Sequence, residues 1–131
     1  MKYINVKTGI ISEDKKMGAD WMPISEERVQ SILQLMKDVF IEAAKKQAAG
    51  YKDDWRQMDF GELYYSLREE ITEVDDELCA FEDPKYEPGA KNLDYARMEV
   101  AHAALVLAFI HDKLNAIELE SMHENRAENN A

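Results

Sequence analysis

Between Glu99 and Ile110 the chain reads Glu-Val-Ala-His-Ala-Ala-Leu-Val-Leu-Ala-Phe-Ile. A stretch apolar on every side predicts a buried helix. Glu99 and His102 are its only polar side chains. They stand three residues apart and share a helix face, so each must find a partner inside the protein. The apolar run is short for a membrane crossing and is interrupted by His102, so it reads as the core of a helical protein.

A second stretch carries matching residues. In Leu67-Arg68-Glu69-Glu70-Ile71-Thr72-Glu73-Val74-Asp75-Asp76-Glu77-Leu78, the apolar positions Leu67, Ile71, Val74 and Leu78 recur at helical spacing. At 100° per residue, Glu70 lies about 60° and Glu73 about 120° from the centre of that stripe. Glu77 continues the row. Carboxylates beside a core stripe are costly unless something positive neutralises them, and a hard divalent cation with oxygen ligands does so. The plainer reading is a solvated acidic face.

Glu-x-x-Glu on one helix, a linker with Pro84, Pro88 and Gly89, and Glu99-x-x-His102 on the next resemble the motifs of the MazG-like all-α nucleotide pyrophosphohydrolases. The resemblance covers roughly residues 28–120; where that family has Asp, this chain has His102. It implies an all-α MazG-like bundle of three long helices plus a short fourth, from residue 23 to 131. It implies a nucleoside triphosphate substrate, a Mg²⁺ or Mn²⁺ cofactor, and products (d)NMP and pyrophosphate. Relatives of that kind assemble as dimers or pairs of dimers, so a homodimer or homotetramer is expected. Glu70, Glu73 and Glu99 match metal ligands, and His102 stands at the fourth position. Glu77 is placed for a second ion, and Glu69 matches an acid often found beside the ligand pair. The catalytic set implied is Glu69, Glu70, Glu73 and Glu99. Tyr51, Trp55 and Tyr64 correspond to the region whose aromatics sandwich the base; the alternative is that they seal the end of the bundle. Arg68, Lys91 and Lys113 are candidate phosphate contacts, and Asn125-Arg126 resembles a tail that closes over substrate.

His102 has two readings. As a ligand it makes a site of three carboxylates and one imidazole, which favours a transition ion over Mg²⁺. As a buried side chain it hydrogen-bonds a carboxylate such as Glu70 or Glu73 without any metal.

The 131 residues suggest one domain, long enough to bury a core without disulfides. A net charge of −11 argues against direct binding to nucleic acid or an anionic membrane. It suits a protein that gathers cations, and also an acidic interaction protein or nucleic-acid mimic. The single Cys79 excludes an internal disulfide and fits a reducing, cytoplasmic setting. A Gly-rich phosphate loop and zinc-type Cys/His spacing are absent. A catalytically silent nucleotide- or metal-binding module on the same fold remains an alternative to the enzyme.

Residues 1–22 differ from the rest: Tyr3, Ile4, Val6, Ile10 and Ile11 around Thr8-Gly9 predict an extended arm or hairpin. Helices are expected over 26–49, 60–82 and 93–114. Ser25 and Asp59 cap the first two, Gly50 ends the first, and Asn92 or Asp94 caps the third. A stop at Asn115 would start the fourth helix near Glu118; a continuous helix through Met122 fits the sequence equally. Residues 124–131 are polar and expected to fray.

Overall fold

The structure, a computed structural model, describes residues 1–14, 18–50, 54–85 and 90–129. Its elements run β1 (Lys2–Asn5), β2 (Ile11–Ser12), β3 (Trp21–Ile24), α1 (Glu26–Ala48), a 3₁₀ turn (Asp54–Arg56), α2 (Phe60–Glu82) and α3 (Ala90–Asn129). The chain is thus mostly helical, with a small sheet at its N-terminal end. Two compact units divide between Lys37 and Asp38.

The first unit holds an antiparallel sheet of order β2-β1-β3, three-stranded where the sequence suggested at most a hairpin. Asn5 makes the first turn, its side chain accepting from the backbone N–H of Lys7 (3.0 Å) and Thr8 (3.1 Å). Gly9 takes the positive φ (74°) this turn requires. β3 is an edge strand, which is why Pro23 is accommodated opposite Tyr3. It runs to Ile24, across the 22/23 boundary read from the sequence. Lys2 reaches Glu26 at 3.5 Å and Glu13 at 3.8 Å.

α1 starts where Ser25 caps it, the hydroxyl accepting from Arg28 N–H at 3.3 Å. It ends at Ala48, and Gly50 just beyond it closes the turn with φ +82°, its N–H donating to the Gln47 carbonyl at 3.1 Å. Asp59 caps α2 by accepting from Glu62 N–H at 2.8 Å. α2 packs on the N-terminal part of α3. Leu63, Leu67, Ala101, Leu105 and Val106 are buried there, Leu63 to 1% exposure.

Three expectations are corrected. The buried face of α2 is not centred on Leu67, Ile71, Val74 and Leu78: Ile71 and Leu78 are exposed, while Leu63, Leu67 and half-buried Glu70, Val74 and Glu77 face inward. At 100° per residue, that rotates the face about 60° toward the carboxylate row. There is no short fourth helix among the described residues. α3 continues through Asn115 to Asn129, because Ala116 to Glu120 are good helix formers and Asn115 keeps a negative φ. The Asn115 Nδ2 instead approaches His111 Nδ1 at 3.3 Å, one turn back. α3 also begins at Ala90, ahead of Asn92 and Asp94, so neither residue caps it.

Helical continuity changes one further reading. Between Asn92 and Glu128, α3 contains an 18-residue window of mean hydropathy 1.3, long and apolar enough to cross a membrane by length and composition alone. The run around Val100 to Ile110 is therefore part of a longer apolar segment than the sequence reading allowed.

Candidate metal centre

Glu70, Glu99 and His102 come together in the second unit. One ligand-type atom from each lies within 4.8 Å of the others. α2 supplies Glu70 from its rotated inner face, and α3 supplies Glu99 and His102 from one face, three residues apart. Glu99 is only 3% exposed. The Oε2 atoms of Glu70 and Glu99 are both buried without a hydrogen-bond partner. Buried carboxylate oxygens are rarely left so; a proton or a bound cation would each relieve their charge.

A third acid belongs to the cluster. Glu42 on α1, 9% exposed, places Oε2 3.0 Å from His102 Nε2. Its Oε1 accepts from Lys45 Nζ at 3.1 Å. The other ring nitrogen, Nδ1, faces Glu70 Oε2 at 3.9 Å. His102 thus lies between Glu42 and Glu70, whereas the sequence pointed only to Glu70 or Glu73 as its partner. Glu42 escaped notice because a Glu on an amphipathic helix with Lys45 three residues on reads as a solvated ion pair.

The carboxyls differ in proton affinity. Burial pushes Glu99 up to about 7, reinforced by hydrogen bonding to Glu73 and by Glu73's charge. Burial also raises Glu70, with Glu73 adding to the shift and His102 and Lys46 opposing it. Burial acts on Glu42 in the same sense, but hydrogen bonds from Lys45 and His102 outweigh it and hold this carboxyl below its ordinary value. The result is an ionised Glu42 on one side of His102. On the other side, Glu70, Glu73 and Glu99 share too few positive charges among them. Metal-ligand carboxylates before their ion binds are expected to look like this.

The remaining sequence candidates are spread out. Glu73 is exposed but interacts with Glu99. Glu77 is half-buried one turn further on, where its charge helps raise the Tyr95 phenol, mainly perturbed by Glu99. Glu69 is exposed, about 100° around the helix from Glu70. Arg68 is exposed, about 160° around from Glu70, on the opposite side of α2. Trp55 stacks on Phe109 with ring centroids 5.0 Å apart and planes 6° from parallel. Arg56 covers the Trp55 ring at 4.8 Å and approaches Asp112 at 3.6 Å. Lys113 donates to the Met58 carbonyl and sits 5.1 Å from the centre of the Phe60 ring. These contacts gather at one end of the helical unit. Lys113 is about 16 Å along α3 from His102, at 1.5 Å per residue. Tyr64 is exposed. Asn125 and Arg126 are exposed, about 35 Å along the helix from His102. Tyr51 and the Lys91 side chain lie outside the described residues.

A recess of about 130 Å³ adjoins Glu42, lined by Asp38, Ile41, Glu42, Asp94, Arg97 and Met98. It has room for a few waters, well short of the roughly 300 Å³ or more a nucleotide-sized ligand fills. Compared with protein families, curated proteins and solved structures, the chain matches none.

Proposed function

We propose that this chain is a divalent-cation-dependent nucleoside triphosphate pyrophosphohydrolase of the MazG-like kind, releasing a nucleoside monophosphate and pyrophosphate. The observation that carries the reading is the pair of buried, unpartnered oxygens, Glu70 Oε2 and Glu99 Oε2, on two residues that cluster with His102. Glu70, Glu99 and His102 would hold the ion, with Glu73 beside them. A bound divalent ion would offset phosphate charge and acidify a water. The chain's own contribution is a rigid, partly dehydrated set of donors on two packed helices. Imidazole among the ligands favours Mn²⁺ or a later transition ion over Mg²⁺. Incubation with a panel of ribo- and deoxyribonucleoside triphosphates should release pyrophosphate faster with Mn²⁺ than with Mg²⁺. Nucleotide binding without release would instead make the chain a binding module; neither binding nor release would leave the acidic interaction protein.

The same reading includes a homo-oligomer in aqueous solution, with no membrane or direct nucleic-acid partner and a cytoplasmic setting. Leu93, Val100, Leu107 and Leu114 are all exposed on α3 and recur every seven residues, the spacing of a helix–helix seam. Only 17% of the apolar window of α3 is buried within the chain, so a second copy is the simplest cover for the rest. Sedimentation of detergent-free protein should give a dimer or tetramer. A stable species near 15.1 kDa, or a chain soluble only in detergent, would count against it.

A further inference from the structure

We propose that Glu42 is a positioning residue of this site: it holds Nε2–H of His102 and thereby turns the Nδ1 lone pair toward Glu70 and Glu99. The inference rests on the cation-site reading and adds to it a residue from a third helix. The geometry is specific. Glu42 is nearly buried, and both its oxygens are engaged, Oε1 by Lys45 and Oε2 by His102. A nearly buried carboxylate with one oxygen paired to Lys45 and the other 3.0 Å from Nε2 favours the ring angle and the tautomer in which Nε2 carries the proton. At 3.9 Å, Nδ1 is too far from Glu70 Oε2 for a hydrogen bond. Nδ1 therefore turns its lone pair toward Glu70 Oε2, and a carboxylate oxygen of Glu99 lies within 4.8 Å of the other ligand-type atoms of the cluster. Histidines that bind metal generally donate their other N–H to a carboxylate in this way, and loss of that partner weakens metal binding about 10- to 100-fold.

Metal-free full-length protein at pH 8, with ¹⁵N-labelled histidine, gives the first readout. Its NMR spectrum should show His102 protonated on Nε2 and bare on Nδ1. Glu42→Ala should mix the two tautomers, whereas Glu42→Gln, whose amide oxygen still accepts from Nε2, should preserve the wild-type pattern. Calorimetry with Mn²⁺ gives the second. Affinity should fall about 10- to 100-fold in Glu42→Ala and only severalfold in Glu42→Gln. If wild type binds Mn²⁺ and Glu42→Ala binds equally well, or loses affinity with its tautomer unchanged, the role of Glu42 is refuted and the cation site stands. If wild type binds neither Mn²⁺ nor Mg²⁺, the cation site fails and the role of Glu42 with it.

Discussion

Glu99→Gln is expected to abolish metal binding and nucleotide turnover while making the metal-free protein more stable at pH 8. With its carboxyl pushed up to about 7, Glu99 is mostly ionised at pH 8, buried at 3% exposure, and close to Glu73 and Glu70. The amide removes that charge, keeps the shape, and can donate to Glu73. A gain on the order of 1–3 kcal/mol follows from a shift of this size, or a melting temperature higher by roughly 3–10 °C for a domain of this length. At pH 5 wild-type Glu99 is already protonated, so the advantage should shrink toward zero. Mn²⁺ affinity should fall by about 100-fold or more, because a lost ligand costs more than a lost supporting residue. Stability gained and function lost in one substitution is the mark of a site strained for its ligand. Destabilisation of the metal-free variant at pH 8 would mean Glu99 is a structural acid with a partner of its own.

The metal-free wild type should lose stability as pH rises from about 5 to 8. The sign follows from Glu99, whose folded-state value of about 7 exceeds its ordinary 4.5. Between these values the native state holds more protons than the unfolded state, so unfolding free energy falls with pH. The contribution is fully present below about 4.5 and gone once pH has passed through about 7. Glu70, raised in the same direction, adds to the slope. Glu42, held below its ordinary value, acts oppositely: its contribution is present above about 4.5 and is lost only in more acid solution. Mn²⁺ should invert the trend between 5 and 8. It competes with protons for the carboxylates, and its stabilisation grows as RT ln(1 + [L]/Kd). Melting curves with and without 1 mM Mn²⁺, an arbitrary excess of roughly 100-fold over a ~10 µM site, should therefore diverge as pH rises. Parallel curves would show that no ion enters the cluster.

Much of the helical framework was legible because local signals agreed. Asp59 with Glu62 marked the start of α2, and Gly50 the end of α1, and both work through the hydrogen bonds and φ values expected of them. Glu99 and His102 stood out as polar residues in an apolar helix, and they do converge with Glu70. Three other features were hidden for physical reasons. Periodicity finds apolar residues without saying which of them the chain covers, so Ile71 and Leu78 were read as core although they are exposed. Asn115 permits a helix stop but does not compel one. Glu42 is sixty positions from His102, and no local pattern encodes a contact at that separation.

The two compact units have a practical consequence. Each holds one of the chain's two tryptophans: Trp21 in β3, and Trp55 against Phe109. Indole emission therefore carries one signal from each unit, and Trp21→Phe and Trp55→Phe would separate them into two single-reporter proteins. Because α1 begins in the first unit and ends in the second, the loss of order in one has a covalent and helical route into the other. Whether the two reporters melt together measures how far that shared helix makes a single cooperative body of the sheet and the helical unit.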